Sequence, residues 1–456
     1  MRRASSLFAF VLVAGGAAAE GQPLPKVKPQ PSSMTPAQAM QLNGLAPELP
    51  RTEVVPFDAA IARALSRNPT AAVALEEIAR ARAVVEEVRS ASLPTLTANA
   101  SYTRLDHDRT LTGAGGATTV IAPADQVNAN LLLSAPLIAP SRWVEWSHAK
   151  DNVEVARMSE KDVQRQLALS TARIYLGIIA QHHVVEVSQR ARDAARAHYQ
   201  FAHQRFAGGW GTRLDEVRAA QEVATDESQL QASVANLARL REALGVLLAL
   251  DHAVDVTDDV TLPGAPTLEE SLHDAVTIRS DVQLFRQRLH AAERVRRDDW
   301  ADFMPSLLLT FQPFYQDPPT AQLPNWGFQG ELLLSWPIYD GGLRYGLHKE
   351  RAALMREARA GVEGGVRQAQ ADVRAADVEV RRSAAALAAA RDAAKLATEG
   401  LALTNLAYRA GASTNIEVID AERVARDTAT AVAQAEDAWR QATLDLLLAS
   451  GRFPAR

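Results

Sequence analysis

The chain of 456 residues contains no cysteine, so it can form no disulfide, no thiolate metal site and no cysteine nucleophile. Aromatic residues make up only 5% of the chain, whereas 86 residues are alanine. Because alanine has the highest helix propensity, this composition favours helices over a large aromatic core. No internal run reaches the ~18 apolar residues of a membrane-spanning helix. The longest strongly apolar internal stretch is about Leu244–Leu250.

The charge balance excludes another class of protein. The formal net charge is −5, and charged residues make up 23% of the chain. A protein that holds nucleic acid through bulk charge needs a strongly basic surface, so no nucleic-acid partner is expected. The charged and apolar fractions are those of a folded chain rather than of a disordered or collagen-like one.

The first residues have the features of a secretory signal peptide. Arg2 and Arg3 provide its positive end, Leu7–Val13 its apolar stretch, and Ala17–Ala19 a small-residue cleavage site. We therefore expect a signal peptide at residues 1–19, with a disordered tail or a short anchor as the alternative. No cysteine follows the cleavage site to carry a lipid anchor.

Proline placement predicts the distribution of long helices. Residues 20–56 hold eight of the 22 prolines and predict an extended, poorly ordered leader. No proline occurs in residues 141–262 or 338–453. Because proline breaks helix interiors, these two stretches suit very long helices. A helix over about Ser141–Arg205 has a length of roughly 95 Å at ~1.5 Å per residue.

Residues recur every seven positions in both arms of the second proline-free stretch. The first row is Val366, Val373, Val380, Leu387, Ala394, Leu401 and Tyr408, and the second is Val418, Ala425, Val432, Trp439 and Leu446. Three positions after each of these stands a small residue, such as Ala369 or Ala442. This alternation predicts a coiled-coil seam in which the helices approach closely.

Four segments between the helices alternate with a period of two. They are Leu96–Thr103, Val127–Ser134, Met304–Tyr315 and Phe328–Trp336. Each has about the ten residues of a tilted membrane-spanning strand, with an apolar face and a more polar one. For each segment taken alone, an ordinary half-buried sheet is the alternative.

Aromatic residues cluster next to these segments. Ten of the 25 aromatic residues lie between Trp300 and Tyr345. Trp143 and Trp146 follow the second segment, and Trp336 ends the fourth. Since aromatic belts are typical of membrane interfaces, we interpret Trp143, Trp146 and Trp336 as interface anchors, with ligand stacking as the alternative.

Three matches in the same order indicate an internal duplication. The matched segments are Pro94–Leu96 with Pro305–Leu307, Leu131–Pro136 with Leu332–Pro337, and Phe206–Ala219 with Tyr408–Ala421. We expect two structural repeats, at residues 57–266 and 267–456, each consisting of a helix, two strands and a long helical hairpin. The first repeat has the longer strand-connecting loop, at about 104–126.

Four strands are too few to close a barrel of ordinary size. In lipid a spanning sheet must be closed, because every backbone polar group needs a partner. A secreted chain with four spanning strands is therefore expected to share a barrel with other copies of itself.

At this point the residues carry a family resemblance. The duplicated pattern, the Pro-Ile-Tyr-Asp-Gly-Gly run at Pro337–Gly342 and the Y-x-x-G-x-x-T-x-x-E spacing at 408–417 resemble the TolC family of outer-membrane channel-tunnel proteins. The resemblance covers about residues 57–450. It implies a homotrimer in which four strands from each protomer complete one twelve-stranded barrel in the outer membrane. The long helices continue as a coiled-coil α-helical barrel through the periplasm, so the fold class is mainly α with a transmembrane β-barrel portion.

The resemblance implies a passive export conduit rather than an enzyme, and no nucleophile–base constellation has informative spacing. The expected partners are a periplasmic adaptor protein, an inner-membrane transporter and outer-membrane lipid, in a tripartite efflux or type I secretion system. Drugs, metals, small molecules and proteins all stay open as cargo. The alternative is a soluble periplasmic coiled-coil scaffold, against which the four alternating segments and the signal peptide count.

The resemblance also points to the turns between paired helices. Gly209 and Gly411 mark these turns, since glycine supplies the backbone freedom that a turn requires. In the family, two acidic residues three positions apart line a closed periplasmic aperture, and they match Glu417 and Asp420. The aperture tyrosine of the family matches Tyr408.

Three protomers would bring six carboxylates to one constriction, where like charges raise the pKa of some members and attract cations. A solvated acidic pair near a helix N-terminus is the alternative, because the helix dipole favours it there. Asp215 is the counterpart of Glu417 in the first repeat, with Arg218 in place of the second acid, so an internal ion pair is an alternative for Asp215. The arginine of the aperture lock in some members would fall at Ser413, so the resemblance does not extend to that lock.

Four histidines could suggest a metal-binding site, but their spacing does not support one. His182, His183, His198 and His203 lack the i, i+4 spacing and the acidic neighbours of a metal site. We expect surface histidines, no metal site and no cofactor. The Asp340–Gly342 segment lacks the Gly-Lys sequence of a phosphate loop and predicts a strand-to-helix junction.

Overall fold

The computed structural model of the protein describes residues 52–112, 116, 118–258, 260, 262–319 and 324–454. The expected signal peptide and most of the expected leader, residues 20–51, lie outside the described residues. The end of the expected leader differs from a poorly ordered segment, because Glu53–Val55 forms a strand.

Helices make up most of the described chain, as predicted. They are α1 (Phe57–Arg67), α2 (Pro69–Ser90), α3 (Pro140–Ala207), α4 (Arg213–Leu247), α5 (Leu268–Thr277), α6 (Ser280–Arg297), α7 (Leu343–Arg409) and α8 (Asn415–Ser450), with a 3₁₀ turn at Asp298–Phe303. The two longest, α3 and α7, contain 68 and 67 residues. Each is therefore roughly 100 Å long, which confirms the prediction of very long helices. Among the described residues, no helix combines the length and the hydrophobicity required to cross a membrane.

The strands form one larger sheet and two small ones. They are β1 (Glu53–Val55), β2 (Thr95–Arg104), β3 (Arg109–Thr112), β4 (Thr118–Ala122), β5 (Asp125–Ile138), β6 (Val254–Val256), β7 (Ser306–Asp317) and β8 (Trp326–Ser335). The four alternating segments coincide with β2, β5, β7 and β8. These four strands pair in that order, antiparallel throughout. All four therefore run between the helices at one end of the sheet and the connecting loops at the other.

The pairing register separates apolar from polar side chains across the sheet. Leu96 pairs with Leu133 of β5, which in turn pairs with Phe311 of β7. On the opposite face Asn99 pairs with Asn130, and their carboxamides are hydrogen-bonded at 3.0 Å. Since successive strand residues point to opposite faces, the face of Asn99 is the more polar one along the four strands, although Leu132, Leu308 and Leu333 also lie on it. The apolar face is exposed, including Leu96, Tyr102, Trp326, Phe328, Leu332 and Leu334.

The segment between β2 and β5 was expected to be a loop, but it also contains two short strands. Within it, β3 and β4 pair as a small antiparallel hairpin. Their short runs, Arg109–Thr112 and Thr118–Ala122, offer too few alternating residues to predict strands reliably from sequence.

A second small sheet, formed by β1 and β6, is bound to α3 and α4. β1 pairs in parallel with β6, and the Tyr175 hydroxyl of α3 donates a hydrogen bond to the Val55 carbonyl at 2.9 Å. Asp255 of β6 binds both His182 and Arg241. Although burial opposes ionisation, the hydrogen bonds from His182 and Arg241 lower the pKa of Asp255 to about 2. This part of the chain is thus held by a buried ionic contact as well as by apolar packing.

The apolar core along the helices includes part of the predicted coiled-coil seam. It includes the buried residues Ala275, Val282, Ala369, Val373, Leu446 and Ala449. Farther along the predicted rows, Val432 and Trp439 stay partly exposed. The seam is therefore closed only in part within one chain.

The junction from β8 into α7 contains two glycines with positive φ. Gly342 has φ +92°, and its amide donates to the Asp340 carboxylate at 3.1 Å. The same carboxylate accepts from the amide of Arg344 at 3.2 Å. Asp340 therefore caps the start of α7, and the segment is the strand-to-helix junction that we predicted.

Candidate functional site at the helical hairpin turns

Two turns with matching geometry join the long helices to the shorter ones. Gly209 follows α3 with φ +78°, and Gly411 follows α7 with φ +76°. The amide of Gly209 donates to the Phe206 carbonyl at 3.0 Å, and that of Gly411 to the Tyr408 carbonyl at 3.1 Å. The left-handed backbone at both positions favours glycine, since a β-carbon would be strained there.

Each shorter helix begins with a capping box. Thr212 caps α4 with Asp215 three residues on, and Thr414 caps α8 with Glu417 three residues on. The amide of Thr414 donates to the Glu417 carboxylate at 2.8 Å, and the Ser413 hydroxyl also donates to it. Hydrogen bonds from Ser413 and from the Thr414 backbone lower the pKa of Glu417. Within one chain Glu417 therefore acts as an ionised helix cap.

The other two acidic candidates lie on the same arms. Asp420 is exposed one turn beyond Glu417 on α8. The Asp215 carboxylate accepts a hydrogen bond from the Thr212 hydroxyl at 2.7 Å. Among the described contacts Asp215 thus binds Thr212 rather than Arg218, which was the alternative.

Asn415, the first residue of α8, connects four helices. Its side-chain oxygen accepts from His198 Nε2 of α3 at 2.7 Å and from the Tyr408 hydroxyl of α7 at 3.5 Å. Its side-chain nitrogen donates to the Asp215 carbonyl of α4 at 3.2 Å. His198, Tyr408 and Asn415 are all buried, so these bonds are shielded from water.

The expectation that His198 is a surface histidine is wrong. Its imidazole is 8% exposed and bound to Asn415. Burial lowers the pKa of His198, although the bond to Asn415 and the charge of Asp215 oppose that shift. Nothing local in the sequence distinguishes this histidine, because its burial depends on a helix that begins 217 positions later.

Tyr408 lies in the seam between the hairpins, where only 6% of it is exposed in the single chain. Its ring centroid lies 5.7 Å from that of Phe201, in an edge-on arrangement. The Arg205 guanidinium lies 5.0 Å from the centroid of the same ring. Tyr408 therefore joins α7 to α3 close to both turns.

A cluster of charged residues connects α4 to α8 next to the turns. Arg423 binds both carboxylate oxygens of Glu222, at 3.1 Å from Nε and 2.6 Å from Nη2. Arg426 contacts Glu222 at 3.2 Å and also binds Asp226. One oxygen of Glu422 is buried in the same region without a hydrogen-bond partner. Burial and the charges of Asp226 and Glu222 raise the pKa of Glu422 to about 7.

Two of the other predicted histidines, His182 and His203, pair with acids. His182 Nε2 lies 2.7 Å from Asp255, and His203 Nδ1 lies 2.7 Å from the buried Glu216. Hydrogen bonds from His203 and Arg213 lower the pKa of Glu216, although burial opposes the shift. Among the described residues, no group of three or more potential ligands is arranged to hold a metal ion.

The three tryptophans predicted as interface anchors lie at the opposite end of α3 and α7, where the sheet meets the helices. Trp143 and Trp336 are exposed, and Trp336 Nε1 donates to the Phe303 carbonyl at 3.2 Å. Trp146 has two cations near its ring, with Lys150 Nζ at 4.0 Å and Arg89 at 5.5 Å from its centroid. Their position after the strands is the one that interface anchors require.

Comparison with known proteins gives a consistent result. The family model described as outer membrane efflux protein matches residues 60–249 and 272–452. The outer membrane protein TolC of Vibrio cholerae is 24% identical over 355 residues, which cover 74% of this chain and 77% of that protein.

Solved structures share the fold. A membrane protein from Pseudomonas aeruginosa has a TM-score of 0.75 at 20% identity, covering 88% of this chain and 91% of that one. The CmeC outer membrane channel of Campylobacter jejuni has a TM-score of 0.74 at 15% identity, covering 87% of this chain and 85% of that one. At these identities, the likeness to solved structures concerns the fold.

Proposed function

Because the chain belongs to the outer membrane efflux protein family, we propose that it is the export conduit of a tripartite efflux or type I secretion system. Membership of the family places it in the outer membrane, with an extension into the periplasm. It is an efflux channel component, and the assembly, the gating and the passive transport described below are our proposal.

The observation that carries the proposal is the four-stranded sheet. Its apolar face is exposed, its other face is more polar, and its outer strands β2 and β8 each have one edge that pairs with no other strand among the described residues. Unpaired edges cannot face lipid, because their backbone groups would have no partners. Pairing β2 of one copy with β8 of the next, in a homotrimer, gives a closed barrel of twelve strands whose apolar face meets lipid.

The helices support a tube that continues this barrel. α3 and α7 both begin within a few residues of a strand end, at Ile138 and Ser335, and both end at a tip turn. Each half of the chain contributes two strands to the larger sheet, followed by a long helix, a turn and a shorter helix, and this order supports a duplication of residues 57–266 and 267–456. Exposed residues of the predicted seam, such as Trp439, favour contact with a neighbouring copy.

The aperture is proposed at the tips. Glu417 and Asp420 are exposed on α8, and in a trimer they would line one constriction with Asp215 nearby. Ionised carboxylates at a narrow point favour cations. Tyr408 acts by holding α7 against α3, so it sets the position of the arms that carry the acids.

The tips are also the proposed meeting point with a periplasmic adaptor, which links the conduit to an inner-membrane transporter. Trp210, beside the turn glycine Gly209, is 82% exposed. Exposed tryptophan is enriched among residues that dominate the energy of protein contacts. In this proposal the conduit performs no chemistry on its cargo. The energy of export comes from the transporter.

The proposal is tested by fractionation and conductance of the full chain. We expect a membrane-embedded trimer that conducts ions in a planar lipid bilayer. A water-soluble dimer that never enters the membrane fraction contradicts the conduit and favours a periplasmic coiled-coil scaffold.

A further inference from the structure

Apart from the exposed Asp427, which Arg426 also contacts, the charged cluster between α4 and α8 has one carboxylate more than it has cations. Glu222 and Asp226 of α4 face Arg423 and Arg426 of α8. Both arginines bind Glu222, and Arg426 also binds Asp226. Glu422, on α8 beside Arg423, is the third carboxylate, and its buried oxygen has no partner among the described residues.

This arrangement favours a neutral Glu422 while the two helices stay packed. A carboxylate with one oxygen buried away from any hydrogen-bond donor is costly when charged, and two neighbouring carboxylates add repulsion. If α4 and α8 move apart, water reaches the carboxylate and its charged form becomes the stable one. The protonation state of Glu422 is therefore coupled to the separation of the two arms.

We propose that Glu422 is the proton-sensitive member of a latch between α4 and α8, protonated more readily in the closed tip than in the open one. This inference rests on the proposed gated aperture, because α8 carries both Glu417 and Asp420. Acidification then favours the closed tip, and opening at neutral pH releases protons.

The sign and size of the effect follow from linkage. While α4 and α8 are packed together, as we propose for the closed tip, the pKa of Glu422 is raised from 4.5 to about 7, chiefly by burial. Between those values the closed state binds more protons than the open state, so the closed tip gains stability as the pH falls from 7 toward 4.5. Per protomer, the opening equilibrium constant is expected to fall on the order of 10-fold between about pH 7.5 and about pH 5.5.

The contribution of Glu422 to the pH response must be distinguished from those of other titratable groups on the packed helices. Burial also raises the pKa of Asp226, which acts in the same direction. His198 of α3 acts in the opposite direction, because burial lowers its pKa. Arg196 of α3 pairs with Glu227 of α4 at 3.0 Å. These groups are unchanged when only Glu422 is substituted, so the difference from the parent chain isolates its contribution.

The experiment compares the purified full chain with Glu422→Gln and Glu422→Leu, whose side chains cannot ionise. Glu399→Gln, a charge removal at an exposed site on α7, is the matched control. We measure the channel open probability and the hydrogen-exchange protection of α4 and α8 at about pH 5.5 and about pH 7.5, the range over which the protonation of Glu422 changes. The exchange rates are corrected for the effect of pH on intrinsic exchange. We expect the control to keep the pH response of the parent and both Glu422 variants to lose most of it, staying closed at both pH values.

The inference and the proposed function fail in different ways. If both Glu422 variants keep the full pH response of the parent, the latch is wrong even though the chain conducts. If neither the parent chain nor the Glu399→Gln control conducts, the conduit is wrong, and hydrogen exchange still reports whether Glu422 controls the packing of α4 against α8.

Discussion

The imidazole of His198 and the carboxamide of Asn415, 217 positions apart in the sequence, are joined at 2.7 Å between Nε2 and Oδ1. Asn415 also binds Tyr408 and the carbonyl of Asp215, so one side chain connects α3, α4, α7 and α8. Because these groups are buried, none of them can exchange its partner for water without opening the tip.

Replacement of Asn415 tests the importance of this connection. In Asn415→Ala, the imidazole and the tyrosine hydroxyl lose their acceptor while they remain buried, so the tip is expected to lose about 1–3 kcal/mol. Limited proteolysis at the turns and the free energy of unfolding measure the loss. Asn236→Ala, at an exposed position on α4, is the control and should change stability by less than about 0.5 kcal/mol. Equal effects of the two substitutions would contradict the role of Asn415.

The pH dependence of the tip contacts tests His198. Its pKa in the folded chain lies below the ordinary value of 6.5. The folded state therefore binds fewer protons than the unfolded state, and stability is lost as the pH falls below about 6.5. His198→Gln keeps a donor toward Asn415 but cannot gain this proton. The stability of the parent relative to the variant should fall between about pH 7.5 and about pH 5.5. A constant difference across that range rules out a buried neutral histidine.

The sequence predicted the long helices and the four paired strands because both depend on local patterns. Proline-free heptads specify helices such as α7, and period-two alternation specifies strands such as β8. Contacts without a local pattern escaped prediction. β1 has only three residues and pairs with β6 about 200 positions away, which no short-range signal indicates.

The same distinction applies to the tip. The turn at Gly411 was predicted from the sequence, and the Thr-x-x-Glu spacing of Thr414 and Glu417 is itself a local capping signal, although we interpreted Glu417 as an aperture acid. The burial of His198 and the binding of Glu222 by Arg423 depend on how two hairpins pack. Sequence periodicity predicts which face of a helix is buried, but it does not predict which residue of another helix contacts that face.

The turn glycines provide a test with a matched control. Gly209→Ala and Gly411→Ala place a β-carbon on a left-handed backbone and should each destabilise the chain by about 1–2 kcal/mol. Gly400 lies inside α7, and a β-carbon there would meet no atom within 4 Å. Gly400→Ala should therefore stabilise the chain by about 0.5–1 kcal/mol. Thermal unfolding gives both values, and a loss of stability for Gly400→Ala contradicts the comparison.

Substitutions on the two faces of β8 test which face of the sheet contacts lipid. Leu332 lies on the exposed apolar face, and Gln329 lies on the opposite face. Leu332→Arg should cost about 2–4 kcal/mol near the centre of a membrane and reduce the amount of assembled channel. Gln329→Arg should assemble normally and alter only conductance, because in the proposed barrel its side chain faces the lumen. Membrane fractionation and bilayer recordings distinguish them, and normal assembly of both variants contradicts the lipid-facing assignment.

The charge of the proposed aperture is tested by neutral substitutions that preserve the helix cap. Glu417 caps α8 through Thr414, so Glu417→Gln with Asp420→Asn removes both charges and keeps side chains that can accept hydrogen bonds. Since the pKa of Glu417 is lowered, its charge is present in the parent at neutral pH. The double variant should shift the reversal potential in a salt gradient toward that of a non-selective pore. Glu76→Gln with Glu77→Gln, on α2 far from the turns, removes the same charge and should leave selectivity unchanged. If the selectivity of the tip variant equals that of the parent, Glu417 and Asp420 do not line the constriction.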